Sequence, residues 1–469
     1  MGLKSYPNSI PLFSPFINYE GKLSMKFKAM IKKLTAVVLA ISMLTLMPGV
    51  ESDAITSSGN IAKGIEVSKY QGAIDWGAVA RSGVKFAFIR VGSTYSGIDP
   101  TFDYNMRSAQ ANGIKTGVYI YSYATNAEQA AMEAVLVTQW LAAYQVQMPV
   151  VFDIEDKCHK DLSVAEINNI INSFCIIVDA AGYYPMVYSY KNFFQSKIGA
   201  TPWDKWVAQF GDSLDYSSCA FWQYSSKGSV SGINGNVDLD YQYKDYSKLI
   251  IKDGFLDHNG SKRYYKDYKM QIGWVIHENA KYLFDPYGYM IKGWYPDADG
   301  KMYYLSTTDG KASVGPTQID NFTFYFDPSG AMQYGFIDYG KGMKYFDPLM
   351  NGAMATTWFA YNGQMFYALS DGTVATGYQE IDGVPYYFEP DGAMAISKEV
   401  TANKKQYMAG PDGILVEIIP EVPTDASGAP KKLDAETMAA MNGIDLSTLN
   451  PDQLAAFMTA VDNYNALIP

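Results

Sequence analysis

A chain of 469 residues has room for more than one hydrophobic core, and with 15% aromatic residues (38 of them Tyr) against only 18% charged ones it is a folding chain, not a disordered one. The net charge of −11 argues against nucleic acid as a partner. Three Cys and three His, with no CxxC or HExxH spacing, argue against a disulfide framework and against a bound metal, the adjacent Cys158 and His159 included.

Chain order begins with a basic stretch holding Lys26, Lys28, Lys32 and Lys33, then the apolar run LTAVVLAISMLTLM, then ESDA with Ser52 and Ala54 at cleavage-like spacing. This pattern predicts a secretory signal peptide within a leader over 1–54, and translation starting at Met25 would bring its basic end to the N-terminus. A transmembrane anchor needs about 20 apolar residues. This run is shorter and stops at Pro48-Gly49. Residues 1–54 carry six Lys and three acids, so their removal takes the net charge from −11 to −14. The expected product is secreted and extracellular, with no membrane span.

Residues 55–250 alternate strand and helix. GIEVS, VKFAFIRVG, KTGVYIYSY, MPVVFDIE, YPMVYSY, DKWVAQF, AFWQYS and VDLDY are eight candidate strands. DWGAVARSG, FDYNMRSAQANG, TNAEQAAMEAVLVTQWLAAYQ and SVAEINNIINSFCIIVDAAG are the candidate helices, with capping boxes at Thr125/Glu128 and Ser163/Glu166. Strands joined through helices run parallel, and eight of them suggest a closed barrel. About 190 residues is short against about 250 for a full barrel, which predicts reduced later helices. The alternative, an open doubly wound sheet, lacks a glycine-rich phosphate loop after its first strand. Cys175, in an apolar helical stretch, is expected to be buried.

The run VVFDIEDK at 150–157 holds three acids. On a strand Asp153 and Glu155 point to one face, their Cα atoms about 6.6 Å apart. Parallel barrels keep their chemistry at the carboxyl ends of strands, where this run lies. Two carboxyls so placed raise one another's proton affinity, so one donates a proton while the other stays ionised, the arrangement glycoside hydrolysis uses. The alternative for any DxE is a solvated strand end.

The stretch 61–245 resembles glycoside hydrolase family 25, the secreted lysozymes, through GIEVSKYQGAIDW (64–76), KFAFIRVG (85–92), GIKTGVYIYSYATNAEQA (113–130), VVFDIED (150–156), WVAQF (206–210) and FWQYSSKGSVSGINGNVDLDY (221–241). The resemblance implies a shortened (β/α)-barrel that cleaves the β-1,4 bond between N-acetylmuramic acid and N-acetylglucosamine in peptidoglycan without cofactor or metal. It implies Glu155 as general acid/base and Asp153 as its companion, acting either on the sugar's own acetamido group or as direct nucleophile. Asp238 matches a further acid. Glu66 departs from the family's usual Asp: it is expected to support the site, with pairing to Arg90 as the structural alternative. A carboxylate displaced by about an ångström can cost about a hundredfold in rate. Tyr119, Tyr121 and Tyr123 share a strand face; Tyr121, Tyr188 and Gln223 are expected to line a substrate groove, and Tyr119, Tyr123, Trp206 and Gln209 to fill the core.

Over 251–419 the rhythm changes. GF at 254, GW at 273, GW at 293, GF at 335, TW at 357 and GY at 377 mark units near 20 residues, each with an aromatic run and a Gly turn. This predicts an all-β hairpin solenoid stabilised by stacked neighbours. The region resembles choline-binding-type cell-wall-binding repeats, which implies that Trp274, Trp294 and Trp358 hold a wall ligand, choline or another glycan-borne group, by cation–π attraction. Residues 420–469 read as a Pro-rich linker with LDAETMAAMNG and NPDQLAAFMTAVDNYNALI as short helices. The whole is expected to be a cell-wall-associated peptidoglycan hydrolase; the alternative is an inactive surface carbohydrate-binding protein.

Overall fold

The computed structural model describes residues 55–56, 58–216, 218–418, 424 and 430–468. The expected leader and most of the expected linker lie outside these residues.

Eight strands close into one barrel: β1 (Ala62–Val67), β2 (Phe86–Ser93), β3 (Lys115–Tyr121), β4 (Val150–Asp153), β5 (Pro185–Tyr190), β6 (Asp204–Ala208), β7 (Phe221–Gly228) and β8 (Val237–Gln242). The eight expected strands are these eight. The expectation that all run parallel needs correction, because β8 is antiparallel to both β7 and β1. The chain turns back between β7 and β8, which pair as an antiparallel hairpin. The helices are α1 (Trp76–Arg81), α2 (Phe102–Ala111), α3 (Ala127–Leu141), α4 (Val164–Ala180) and a short α5 (Lys191–Ser196). Ser163 and Glu166 form the expected capping box of α4. At α3 the cap lies one residue later than expected: the Asn126 side chain accepts from Gln129 N at 3.0 Å, while Thr125 N donates to the Gln129 side chain.

Strand periodicity sorts the core into two layers. Phe86, Phe88, Tyr119, Val151, Met186, Tyr188, Trp206 and Phe221 pack inside the barrel. Ala87, Ile89, Val118, Ile120, Phe152 and Val207 alternate with them and meet the helices, where Cys175 is also buried. The interior is filled by rings: Trp206 stacks on Phe88 at 4.4 Å and lies 4.5 Å from Tyr188. Gly64 makes room for this packing, since a Cβ there would lie 2.3 Å from the Phe86 ring. A barrel plugged in this way offers a site only at its mouth.

Eight hairpins follow, opening at Gly254, Gly273, Gly293, Gly315, Gly335, Trp358, Gly377 and Lys398. The ones at 315 and 398 have no counterpart in the Gly-aromatic pattern, because Pro316 and Glu399 stand where the others carry a ring. Asn259-Gly260, Asn362-Gly363 and Asp382-Gly383 hold positive φ at both turn positions, the geometry that matches the twist of hairpin strands. The two expected tail helices span Ala435–Met441 and Pro451–Ala466.

The described chain forms two compact units: residues up to Lys292 with 307–311, and residues 293–306 with 312 onward. The first hairpin thus belongs with the barrel. The last turns of α3 and α4 present free carbonyls and the negative end of the helix dipole. The hairpin answers with cations: Lys269 Nζ donates to Ala142 O at 2.7 Å, and the fully buried Arg263 donates twice to Asp179 at 3.3 Å. His258 lies 3.2 Å from the same carboxylate. Arg263→Ala leaves Asp179 desolvated without its guanidinium and is predicted to cost about 3 kcal/mol, read from the urea midpoint of the barrel transition. Adding Asp179→Ala in that background is predicted to cost far less than it does alone.

Candidate active site

Strand ends bring the acids together. Glu66 near the end of β1 is paired in register with Asp238 on the antiparallel β8. Asp153 ends β4 between Tyr121 of β3 and Tyr188 of β5. Glu155 follows two residues later, on the same side. Burial makes these carboxyls reluctant to ionise. It pushes Glu66 up to about 8, helped by the charge of Asp238, and Asp238 itself up to about 6. Asp153, only 3% exposed, is held well above the usual carboxylate range by burial and by Glu155 and Glu66, with Arg90 opposing. Glu155 is pushed up to about 7 by burial; the Tyr190 hydroxyl donates to it and opposes the shift, while Asp238 and Asp156 reinforce it. Neighbouring acids add to burial at both Asp153 and Glu155, so each binds a proton more readily than a carboxyl in water. Asp153 Oδ1 and Glu155 Oε2 are buried yet take no hydrogen bond from the described residues.

Glu66 has a rigid cradle. Gln223 Nε2 donates to its Oε2 at 2.7 Å, and the Gln223 oxygen accepts from Tyr188 OH at 2.9 Å, which fixes the orientation of the amide. Tyr119 also donates to Glu66. The alternative partner, Arg90, instead lies over the Tyr121 ring at 5.2 Å. Tyr121 donates to Asp156 at 3.2 Å. At Asp156, burial is outweighed by hydrogen bonds from Cys158 and Tyr121, so this acid stays below the usual range.

Among the groove candidates, then, Tyr121 lies at the rim, whereas Tyr188 and Gln223 are buried at 5% and 2% exposure and orient Glu66 instead of offering a face to a ligand. Tyr119 and Trp206 are core, as expected; Tyr123 is half-exposed and meets the exposed Tyr95 edge-on at 4.6 Å. Two residues went unnoticed in the sequence. Tyr190 is 44% exposed, and its hydroxyl reaches Glu155. Asp240 is fully buried one layer below Asp238, with Oδ1 accepting from Trp206 Nε1 at 2.8 Å and Oδ2 taking no hydrogen bond from the described residues. The period-two rule that flagged Asp153 and Glu155 applies equally to Asp238 and Asp240.

In the repeats, Trp294 meets Tyr304 and Phe324 edge-on, each at 5.0 Å. Trp358 meets Tyr367 and Tyr386 at 5.1 and 5.0 Å. Trp274 carries the Lys281 ammonium at 4.0 Å from its ring centroid.

The chain is similar to several known families and proteins. Residues 65–233 match the family described as glycosyl hydrolases family 25, residues 272–315 a choline-binding repeat and residues 376–394 a putative cell wall binding repeat. An uncharacterized protein of Escherichia coli K12, YegX, is 32% identical over 190 residues, covering 38% of this chain and 68% of that protein. An autolytic lysozyme of Clostridium acetobutylicum is 31% identical over 199 residues, covering 41% of this chain and 58% of its own length. A solved bacterial lysozyme from Streptomyces coelicolor aligns at TM-score 0.35 with 26% identity, over 41% of this chain and 96% of that one.

The raised carboxyls set a pH dependence of stability. Glu66 ionises near 8 in the fold and near 4.5 when unfolded, so between these values the folded state binds the extra proton and stability falls as pH rises. Glu66→Gln is predicted to be near wild type in stability at pH 5 and more stable at pH 8, by about 3 kcal/mol, in denaturant melts at the two pH values.

Proposed function

This chain belongs to glycosyl hydrolase family 25, and we propose from that premise that it hydrolyses the β-1,4 bond between N-acetylmuramic acid and N-acetylglucosamine, as an exported enzyme held on the cell wall by its aromatic repeats. The observation that carries the reaction is the pair of buried carboxyl oxygens, Asp153 Oδ1 and Glu155 Oε2, which take no hydrogen bond from the described residues. Unpaired buried acceptors are costly, and a substrate that supplies the missing contacts relieves that cost.

Glu155 is the more accessible member of the pair, so the proton leaves through it to the glycosidic oxygen. Leaving-group departure puts positive charge on the anomeric carbon. Asp153, facing Arg90 and pinned between Tyr121 and Tyr188, is the carboxylate that meets this charge, by steering the sugar's acetamido oxygen or by direct attack; both routes need an ionised Asp153 once the proton has moved to Glu155. Glu155, now ionised, then takes a proton from the incoming water. Asp238 and Asp156 place negative charge nearby, which helps hold the Glu155 proton in place until the sugar arrives. The Trp294 and Trp358 ring sets suit a quaternary ammonium such as choline on a wall polymer.

Glu155→Gln is expected to lower the rate of turbidity loss of purified peptidoglycan by about 10²–10⁴-fold. Equal rates for the two proteins would leave the inactive carbohydrate-binding reading. Wild-type activity is expected to fall as pH rises through about 7, where Glu155 loses its proton. Glu66→Asp shortens the side chain away from Gln223 and is expected to cost about tenfold or more despite keeping the carboxyl group.

A further inference from the structure

The three tryptophan hairpins are not equivalent, and they differ at two positions together. In the hairpin opening at Gly293, Trp294 stands opposite Tyr304, and two residues earlier on the return strand lies Met302. In the one opening at Trp358, the ring stands opposite Tyr367, with Met365 in the matching place. In the one opening at Gly273, Trp274 stands opposite Leu283, and the matching place is taken by Lys281. Residues two apart on a strand share a face, and a diagonal cross-strand neighbour is within reach of a long side chain. A ring and a thioether have thus been exchanged for a leucine and a cation on the same face.

The cation is seated where a bound ammonium would sit. Lys281 Nζ lies 4.0 Å from the centroid of Trp274, well inside the about 6 Å over which a ring face attracts a cation. Tryptophan is the strongest of the aromatic partners, and the half-buried setting of both residues weakens the screening that water would impose. An ammonium supplied by the neighbouring strand competes at high effective concentration with any ligand from solution.

Resting on the reading of the repeats as sites for a cationic wall group, we propose that Lys281 permanently occupies the Trp274 face, so that the second hairpin is a closed, self-liganded member of the array and an external quaternary ammonium enters only at Trp294 and Trp358. Lys281 is then a specificity-determining residue: it sets how many cationic groups one chain engages. The exchange leaves the two open sites in the same compact unit and puts the closed one in the unit that contains the barrel.

Calorimetric titration of the full-length protein with choline chloride tests this. Wild type is expected to bind two equivalents, and the Trp294→Ala/Trp358→Ala variant none. Adding Lys281→Met and Leu283→Tyr to that variant is expected to restore one. Binding by the Trp294→Ala/Trp358→Ala variant that disappears on Trp274→Ala would overturn the proposal while leaving the cation reading of the repeats intact. Choline taken up by no variant would reject both. A second measurement does not depend on choline: the ε-methylene resonances of Lys281 are expected to be shifted upfield by the indole ring current and to return to the free-lysine position in Trp274→Ala. Resonances unmoved by that substitution would reject the self-occupation by itself.

Discussion

The arrangement depends on one electrostatic constraint: several carboxyl groups are withdrawn from water into the mouth of a barrel whose interior is already filled. Desolvation raises their proton affinity, and each acid that does ionise raises that of its neighbours. Arg90 offsets part of this at Asp153 and Glu155. The ring-packed interior, with Trp206 wedged between Phe88 and Tyr188, keeps water from entering below and bringing the acids back to ordinary values. Packing that looks structural is therefore part of the acid–base chemistry. Under the proposed function, the chain accepts a less stable mouth in exchange for a proton retained where a glycosidic oxygen can take it.

Positions within this mouth are set by backbone register more than by loops. Glu66 faces Asp238 because β8 runs against β1. A parallel eighth strand would carry Asp238 toward the opposite end of the barrel. The hydrogen-bonded line from Tyr188 through Gln223 then fixes the side chain of Glu66.

Much of this was legible in the sequence, for identifiable reasons. All eight strands stand out as apolar runs between helix patterns, and the i, i+2 spacing of Asp153 and Glu155 shows their common direction without coordinates. The orientation of β8 was not legible from apolar content, which carries no sign of strand direction. Tyr188 and Gln223 were recognisable as strand-end residues, but whether a side chain faces a ligand or another side chain depends on barrel curvature. Tyr190 escaped because it lies at the end of β5, where the strand alternation gives way to α5. In the repeats the Gly-aromatic signature found six hairpins and missed those led by Pro316 and Glu399, because backbone pairing and turn geometry define a hairpin even when the marker ring is absent.

The most direct test of a proton retained by desolvation is a ¹³C-carboxyl NMR titration of the protein labelled at Asp and Glu side chains. A carboxyl resonance assigned to Glu155 through its loss in Glu155→Gln is predicted to titrate near pH 7, with coupled inflections at Asp153, Glu66 and Asp238. Ionisation of all four below about pH 5, as for carboxyls in water, would contradict the account.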